Sequence, residues 1–359
     1  VSNGSKSIFL PSSTNYWLSN LVNNNNENID KVAYSLYFDN NGGKISNEEG
    51  RSTKRFIRPI LASSRNTQSY KLAFEDIEGT LSGEFSVSAT KKIKFSKGNL
   101  QYQASTNTWR FADNQYDIRG LENNNISSTY EGWIDLFGWG TSGWNSGAKA
   151  YQPWSTSKNA ADYNVGNSAT KSLTGDCVNA DWGVYNRISN GGDEAGLWRI
   201  LTGDESNYLI NSRTNAAKLR TKATVNGVPG VLLFPDGWTT PSDISVTMNV
   251  KERFKTNVYT AEQFEYLEFL GVVFLPAGGY RNEVTTNQLG EGGSTNSYDG
   301  ENITGSYWTS SRKDGSNALC YVFKNKNDNS NKAFYDNVIV AKGNCALNGG
   351  CNVRLIHDK

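Results

Sequence analysis

Short apolar runs, each bounded by turns rich in Asn, Gly and Ser, constrain the fold of this 359-residue chain more than any other feature. Within residues 1–83 the runs are "SIFLP", "KVAYSLYF", "RFIRPILA" and "SYKLAFEDI", and none of them has helical periodicity. Runs of this length between turn residues are typical of β-strands, and "NNGG" marks a turn between two of them. Residues 1–83 are therefore predicted to form a small all-β, β-sandwich-like module.

Residues 84–359 differ because two amphipathic stretches interrupt the strand-like runs and because the intervening loops are longer. In "LWRILTGDESNYLINSR" the apolar residues recur at helical spacing, which predicts a helix over 198–212. In "TAEQFEYLEFLG" Thr260 can cap a second helix over 261–270. This larger part is predicted to be α+β, with few helices and with long loops of the kind that usually carry function.

Composition argues against two classes of protein. The net charge of +1 does not suit a nucleic-acid-binding protein, which usually has a clear excess of basic residues. No apolar run is long enough to span a membrane.

Abundant Asn, Ser, Thr and Gly favour an extracytoplasmic location. Because the chain begins "VSNGSK" without Met, we expect a processed or trimmed product that has lost any export signal.

The 4 cysteines leave the disulfide pattern open. Cys345 and Cys351 are close enough in sequence to form one short disulfide loop, whereas Cys177 and Cys320 would need the fold to bring them together. The alternative is that the cysteines are buried free thiols, and we expect this state for at least two of them.

Residues that could support catalysis are scarce. The only histidine, His357, is near the end of the chain, where we expect a solvated side chain, so neither a Ser-His-Asp triad nor a His-rich metal site can be assembled. No Gly-rich phosphate-binding motif follows a strand, and adjacent acids such as Asp204 and Glu205 are more typical of helix caps. "NSYDGEN" lacks the spaced acidic ligands of a calcium loop. We therefore expect no enzyme activity, no cofactor and no metal.

The segment 131–147, "EGWIDLFGWGTSGWNSG", repeats a Gly-Trp pair and is named here the Trp-rich loop. The rings of Trp133, Trp139 and Trp144 could stack on the apolar faces of sugars. They could instead hold a long loop against the body of the domain, which is the interpretation that we prefer.

Several segments occur in an order that carries a resemblance to a known family. They are "FSVSATKKIKFSKGNLQYQASTNTWRFADNQYDI", "GWIDLFGWGTSGWN", "LWRILTGDESNYLINSR", "KATVNGVPGVLLFPDGW", "GVVFLPAGGYR", "GSYWTSS" and the closing "VRLI". This ordered set, spread over residues 83–357, resembles a family of gut Bacteroidales surface proteins. That family has a C-type lectin-like fold of the formylglycine-generating-enzyme type, and many members are variable proteins of diversity-generating retroelements. The first 80 or so residues lie outside the resemblance, and we expect an immunoglobulin-like or pilin-like module there.

The resemblance implies a ligand-binding function centred on two polar patches near the C-terminus. In such retroelements adenines of a template RNA are miscopied, and Asn codons of the AAC type are the preferred targets. The segments "RKDGSN" and "GNCALNGGCN", bracketed by fixed "SYW" and "VRLI", fit variable positions. Without the resemblance, the first segment would be interpreted as an ordinary solvated hairpin loop. The implied ligand-binding residues are Arg312, Asp314, Gly315, Ser316 and Asn317 in a first patch and Asn344, Cys345, Ala346, Leu347 and Asn348 in a second patch.

Departures from related families restrict the implied chemistry. The motifs "EPN" or "QPD" followed by "WND", with which true C-type lectins bind calcium and sugar, are absent, so calcium-dependent sugar binding is not implied. Formylglycine-generating enzymes use two copper-binding cysteines near the C-terminus, which invites comparison with Cys345 and Cys351. The Arg-rich context of that site is missing, however, and the codon pattern makes either cysteine a candidate product of diversification.

These observations together favour a surface-displayed, adhesin-like or receptor-like protein that binds an unknown protein or glycan on another cell or on a phage. The alternative is a calcium-independent glycan-binding module or fimbrial tip adhesin that uses the Trp-rich loop. We expect an exported product at the outer-membrane surface, peripheral or lipid-anchored through an acylated Cys upstream of Val1, with no nucleic-acid partner.

The patches and the C-terminus also carry structural expectations. The first patch should be exposed between strands that end at Trp308 and begin near Ala318, with Trp308 buried as an anchor. The second patch should lie beside the first, because in the fold that the resemblance implies both flank strands that pair. In the closing "NVRLI", which should form a central strand, alternation predicts that Val353 and Leu355 face the core while Arg354 points away.

Overall fold

The computed structural model describes residues 78–251, 253–282, 303–324 and 337–359 in full, and the backbone of strands at 2–3, 6–7, 15–21, 32–39, 42–50 and 285–287. The chain divides into two compact units, Val1–Gln68 and Ser69–Lys359. This division precedes the boundary predicted at 83/84, and Leu81 is buried in a core cluster of the larger unit. The predicted strands at 55–62 and 69–77, and most of that at 7–11, lie outside the described residues.

The described part of the smaller unit consists of antiparallel strands. A short pair, β1 (Ser2–Asn3) and β2 (Lys6–Ser7), precedes a three-stranded sheet in the order β3 (Asn15–Leu21), β4 (Val32–Asp39) and β5 (Gly42–Gly50). Asp39 pairs with Gly42 across the junction between β4 and β5. The two strands predicted on either side of "NNGG" are therefore confirmed, while Asn40 and Asn41 between them lie outside the described residues.

The larger unit is mixed α+β, with mostly strands in small sheets and few helices, and at this level the predicted fold class is confirmed. Its strands are β6 (Phe85–Ser86), β7 (Lys92–Phe95), β8 (Leu100–Gln103), β9 (Thr108–Phe111), β10 (Trp133–Ile134), β11 (Arg220–Val225), β12 (Val228–Leu233), β13 (Val258–Tyr259), β14 (Val273–Pro276), β15 (Tyr280–Asn282), β16 (Thr285–Asn287), β17 (Thr304–Arg312), β18 (Asn317–Lys324), β19 (Val340–Ala346), β20 (Gly349–Gly350) and β21 (Ile356–Asp358). These strands form sheets with the orders β21-β7-β6, β10-β8-β9, β13-β11-β12-β14, β16-β15-β20 and β17-β18-β19.

The helices of the larger unit are short. The α-helices are α1 (Trp182–Tyr185), α2 (Gly203–Asn207) and α3 (Ala261–Phe269), and a π-helical turn over Tyr208–Ser212 continues α2. The 3-10 turns are Gly120–Asn125, Ala160–Tyr163, Val165–Asn167, Gly175–Ala180 and Ala216–Lys218. In the described part of the chain, no helix combines the length and the apolar character that crossing a bilayer requires.

The helix predicted over 198–212 begins only at Gly203, so its first turn was predicted wrongly. Thr202 Oγ1 accepts a hydrogen bond from the Glu205 N–H (3.1 Å), and Glu205 Oε2 accepts one from the Thr202 N–H (2.9 Å), which forms a capping box. Before this cap, Arg199 exchanges backbone hydrogen bonds with Ile356 (3.0 and 2.7 Å). This tertiary pairing keeps the segment extended although its apolar spacing is helical.

The second predicted helix is confirmed. Thr260 Oγ1 accepts a hydrogen bond from the Gln263 N–H (3.2 Å), and Gln263 Oε1 accepts one from the Thr260 N–H (2.9 Å). Phe264 and Leu267 are buried on one face of α3. A cap and an apolar stripe that agree locally are enough to specify this helix.

Large aromatic side chains fill the main core. Trp139, Trp182, Trp198 and Trp308 are all fully buried in one cluster. The prediction that Trp308 is a buried anchor is confirmed, and its indole N–H donates a hydrogen bond to the Phe137 carbonyl (2.7 Å). A buried indole N–H needs such a partner because leaving it unpaired would be costly.

The C-terminal segment differs from the prediction. Val353 and Leu355 are buried as expected, but Arg354 is fully buried too, and the final strand is β21 at the edge of its sheet. The carbonyls of Val353 and Leu355 accept hydrogen bonds from the N–H groups of Leu100 and Ser96 (2.9 and 3.0 Å). Alternation creates a solvent face only where one side of the chain is open, and here packing encloses both sides.

Candidate functional site

The first patch lies at the end of the hairpin formed by β17 and β18. The first of these strands was predicted to end at Trp308, but it continues to Arg312, and β18 begins at Asn317. The prediction was wrong because "TSS" is polar, whereas in the structure Thr309 is buried and its Oγ1 donates a hydrogen bond to the Leu319 carbonyl (2.7 Å). The loop that joins the strands is therefore only 313–316.

The second patch lies directly beside the first, as expected for segments that flank paired strands. β18 pairs with β19 in a register that places Asn317 opposite Ala346. The Ser316 carbonyl also accepts a hydrogen bond from the Leu347 N–H (2.9 Å). The structure thus brings the two patches together into one surface.

Exposure divides the predicted ligand-binding residues into three groups. The exposed members are Asp314, Gly315, Ser316, Asn344 and Ala346. The half-buried members are Arg312, Asn317, Cys345 and Asn348. Leu347 is fully buried and its carbonyl accepts a hydrogen bond from the Trp139 N–H (2.9 Å), so its side chain belongs to the framework and is not available to a ligand.

Asp314 organises the exposed loop. Its Oδ1 accepts hydrogen bonds from the Ser316 N–H, the Asn317 N–H and the Asn317 side-chain amide (each 2.9 Å). The hydrogen bond from the Ser316 N–H and then that from the Asn317 side chain hold the pKa of Asp314 below its ordinary value. The carboxylate therefore stays ionised and shapes the turn from an exposed position.

The Arg312 side chain points along the protein surface toward a neighbouring segment. Its Nη2 donates to Asn164 Oδ1 (2.6 Å), and its Nη1 donates to the Ser168 carbonyl (3.2 Å). Its backbone N–H donates to Ser172 Oγ (3.0 Å). Sequence reasoning did not identify these partners, because a polar stretch such as "NVGNSATKS" carries no local signal that it contacts a hairpin so distant in sequence.

The Trp-rich loop contacts the β17–β18 hairpin through Trp139. Trp139 is fully buried, its Nε1–H donates to the Thr309 carbonyl (3.0 Å), and the Arg312 Cζ lies 5.6 Å from its ring centroid. Trp133 and Trp144 are half-buried, and the Arg110 guanidinium lies 3.9 Å from the centroid of the Trp133 ring. Trp139 therefore offers no free face to a sugar.

The cysteines pair differently from the short loop considered in the sequence. Cys320 in β18 forms a disulfide with Cys345 in β19, with their Cα atoms 6.1 Å apart, while Cys177 and Cys351 are buried free thiols. Burial raises the pKa of the Cys351 thiol well above its usual value. Cys345 and Cys351 are therefore not a pair of free thiols comparable to a copper site. The pairing of β18 with β19 brings Cys320 to Cys345.

Two buried aspartates outside the patches have structural partners. The Asp181 carboxylate accepts hydrogen bonds from the backbone N–H groups of Gly183 (3.0 Å) and Ile200 (2.9 Å). The Asp135 carboxylate accepts from the Asn123 side-chain amide (2.8 Å) and from a backbone N–H. Burial raises the pKa of each carboxyl to about 6. Both groups are fully enclosed, so they stabilise loops and are not exposed to a substrate.

His357 is not the solvated side chain expected from its position near the end of the chain. It lies in β21, half-buried, with Nδ1 2.8 Å from the Leu197 carbonyl and its ring against Trp198. Among the described residues, no group of three or more His, Cys, Asp and Glu side chains is arranged to hold a metal ion.

Comparisons of the chain with protein-family models, with curated proteins and with solved structures return no match.

Proposed function

We propose that this protein is a surface-displayed, adhesin-like or receptor-like ligand-binding protein, and that a retroelement diversifies the codons of the exposed residues in its two patches. The observation that carries the proposal is the contrast between exposed, small polar side chains such as Ser316 and Asn344 and the buried residues Trp139 and Leu347 beneath them. Substitutions at exposed positions usually change stability by less than about 0.5 kcal/mol. Such a surface can therefore vary while the framework persists.

A C-type lectin-like fold of the formylglycine-generating-enzyme type is part of this proposal. It is supported by the ordered motifs and by the mixed α+β unit with few helices. The shared segments also occupy framework positions in the structure: "GSYWTSS" lies within β17, and Val353 and Leu355 of "NVRLI" are buried. An immunoglobulin-like or pilin-like character of the smaller unit belongs to the same proposal.

A binding protein is favoured over an enzyme by the environment of the ionisable groups described above. Catalysis needs titratable groups that converge where a substrate can reach them. Asp135 and Asp181 are enclosed, and the His357 ring is engaged by the Leu197 carbonyl. The ligand that we propose is a protein or a glycan on another cell or on a phage, without a cofactor and without nucleic acid.

An exported location at the outer-membrane surface, peripheral or lipid-anchored, completes the proposal. The Cys320–Cys345 disulfide supports it, because disulfides persist mainly in oxidising compartments outside the cytoplasm. The abundance of Asn, Ser, Thr and Gly supports the same location.

A calcium-independent glycan-binding module or fimbrial tip adhesin remains the alternative. The observation that favours it is the partial exposure of Trp133 and Trp144, whose rings could contact a sugar. Arg110 already covers part of the Trp133 ring, and Trp139 is buried. The alternative therefore depends on Trp133 and Trp144 alone.

Sequencing this locus across sibling strains tests the diversification. Differences should gather at the codons of the exposed patch residues, such as Asp314, Ser316 and Asn344, while the codons of Trp308 and Trp139 stay constant. Differences spread evenly along the gene would overturn the proposal of a diversified site.

Binding by the patches is tested with Ser316→Tyr and Asn344→Tyr in a partner pull-down read beside a glycan array. Both variants should lose the ligand of the parent protein, and Ser242→Tyr, a change at an exposed serine in another loop, should retain it. Binding that survives both patch variants but is lost in Trp133→Ala would favour the alternative. Trp139→Ala cannot make this distinction, because Trp139 contacts both patches.

A further inference from the structure

We infer that Arg312 is a positioning residue that clamps the exposed 313–316 loop to Asn164 and to the segment that follows it, and that the loop presents its side chains to a ligand because of this clamp. The statement about the ligand rests on the proposed function. The clamp itself does not.

The donor inventory of Arg312 supports this role. A guanidinium carries one N–H at Nε and two at each terminal nitrogen. Nε donates to the Asp314 carbonyl (2.7 Å), and Nη2 donates both to Asn164 Oδ1 (2.6 Å) and to the Gly315 carbonyl (2.8 Å). Nη1 donates to the Ser168 carbonyl (3.2 Å). Nearly all of the donors that could bind a ligand are therefore directed into the protein itself.

These bonds join the 313–316 loop to the segment around residues 164–168. On one side Arg312 binds consecutive loop carbonyls, those of Asp314 and Gly315. On the other side it binds Asn164, which lies between two short 3-10 turns, and Ser168, which directly follows the second turn. The planar fork of Arg suits such simultaneous bonds, whereas the ammonium group of Lys does not.

Two further contacts fix the base of the clamp. The Arg312 backbone N–H donates to Ser172 Oγ (3.0 Å), and the Leu173 N–H donates to the Ser310 carbonyl (2.8 Å). The guanidinium also lies over the buried Trp139 ring, with Cζ 5.6 Å from the ring centroid, a geometry that adds cation–π attraction. The Arg312 side chain is therefore held by the Trp139 ring as well as by the 313–316 loop and by Asn164 and Ser168.

Within the first patch, some residues hold the loop in place and others are exposed to a ligand. Arg312 supports the loop together with Asn164, whereas Asp314 and Ser316 present exposed side chains. A loop that is already ordered loses less conformational entropy when it binds. Arg312 therefore contributes to ligand affinity through the loop and not through its own charge.

Amide hydrogen exchange of the full chain tests the clamp without a ligand. In Arg312→Met, which keeps much of the side-chain length but removes every donor, exchange of the Lys313, Asp314 and Leu347 amides should quicken about tenfold. These amides donate to the Asn317 and Ser316 carbonyls in the ordered loop. Lys313→Met, at the exposed neighbouring residue, is the matched control and should leave their exchange unchanged.

Asn164 provides a second test that does not alter the hairpin. Asn164→Ala removes an acceptor of Nη2 and should quicken exchange of the same loop amides, whereas Asn164→Asp keeps an acceptor oxygen and should restore slow exchange. This pair remains decisive if Arg312→Met fails to fold. If the loop amides of both Arg312→Met and Asn164→Ala exchange at the parental rates, the clamp is overturned. It is also overturned if exchange quickens in Asn164→Ala but Asn164→Asp does not return it to the parental rates.

The outcomes for the clamp and for the proposed function are distinguishable. If the loop amides respond as expected but Ser316→Tyr and Asn344→Tyr bind as the parent does, the clamp stands and the binding function falls. If binding depends on those two residues while exchange is insensitive to Arg312 and Asn164, the binding function stands and the clamp falls.

Discussion

Arg354 carries a guanidinium into the interior of the larger unit, where it is fully buried. Its Nη2 donates to Gln115 Oε1 (2.7 Å), while Nε and Nη1 have no hydrogen-bond partner among the described residues. Burial lowers the pKa of Arg354 to about 10. A guanidinium removed from water with one hydrogen bond to a neutral amide oxygen costs stability, because desolvation exceeds what that hydrogen bond returns.

Arg354→Met should therefore raise the free energy of unfolding by up to about 2 kcal/mol or leave it unchanged. Methionine fills a similar volume without charge, and Gln115 Oε1 keeps its hydrogen bond from the Phe274 N–H (2.8 Å). Arg354→Ala is the control, and it should be less stable than Arg354→Met by about 2–4 kcal/mol because it leaves a cavity. Urea unfolding measures all three proteins. A loss of more than about 2 kcal/mol in Arg354→Met would show that the guanidinium stabilises the core.

Trp308 and Ser316 should respond very differently to substitution, although both belong to the same hairpin. Trp308→Ala should lower the free energy of unfolding by about 3–5 kcal/mol, because it empties a fully buried site and removes the indole donor to Phe137. Ser316→Ala, at an exposed position, should change it by less than about 0.5 kcal/mol. Equal effects in thermal or urea unfolding would contradict the division between framework and exposed surface.

Among the elements, β19 is held to its neighbouring strand by a covalent bond as well as by backbone pairing. It lies at the edge of the β17-β18-β19 sheet and carries part of the second patch. The Cys320–Cys345 disulfide joins it to β18, with a sequence separation of 25. A cross-link of this kind mainly restricts the unfolded chain, and the effect grows with loop length.

Cys345→Ser should lower the free energy of unfolding by about 2–4 kcal/mol. A reductant should destabilise the parent by a similar amount and should leave the variant unaffected. The variant therefore serves as the control for the effect of the reductant on the parent. Urea unfolding with and without dithiothreitol measures both effects. Identical unfolding curves for the oxidised and reduced parent would contradict a stabilising role for this disulfide.

For the molecule as a whole, two sets of carboxyl groups have opposite effects on how stability changes with pH. Burial raises the pKa of Asp135 and Asp181 to about 6. Glu205 and Asp358 behave in the opposite way: burial opposes the change, but hydrogen bonds from Arg199 hold the pKa of each below its ordinary value. Arg199 donates to Glu205 Oε2 at 2.7 Å and to Asp358 Oδ1 at 2.6 Å.

The free energy of unfolding should therefore fall as the pH rises from about 4 to about 6. In that range the unfolded chain has released the protons of Asp135 and Asp181 while the folded chain still binds them. Ionising each carboxyl in the folded protein therefore lowers the free energy of unfolding by up to about 3 kcal/mol. Below about pH 4 stability should fall again, because protonation of Glu205 and Asp358 breaks their ion pairs with Arg199.

Urea unfolding across the range from acid to neutral pH measures this profile, which should have its maximum on the acid side of neutrality. Asp135→Asn should remove part of the decline between about pH 4 and 6 whatever its effect on absolute stability, because it removes one of the two titrating groups. A free energy of unfolding that rises steadily up to neutral pH would contradict the raised pKa values of the buried aspartates.

Features that depend on near neighbours were predictable from the sequence. The cap at Thr260, the turn between β4 and β5 and the expectation that Glu205 would cap a helix all involve residues a few positions apart. Burial of Val353 and Trp308 followed from their apolar side chains. The adjacency of the two patches was an expectation from the fold that the resemblance implies, and it is not a local feature. The local rules hold for the caps and the turn because the interacting groups are already close in the unfolded chain.

Other features were decided only by the tertiary structure, because they depend on groups that the chain brings together across long separations. Arg312 and Asn164 are 148 positions apart, and nothing in either segment specifies the other. Cys320 selects Cys345 over the other cysteines because β18 pairs with β19. Likewise, Arg354 is enclosed because packing covers both faces of its segment. The sequence thus determined which residues are polar enough to form an exposed surface, and long-range packing decided which of them face outward and which support the others.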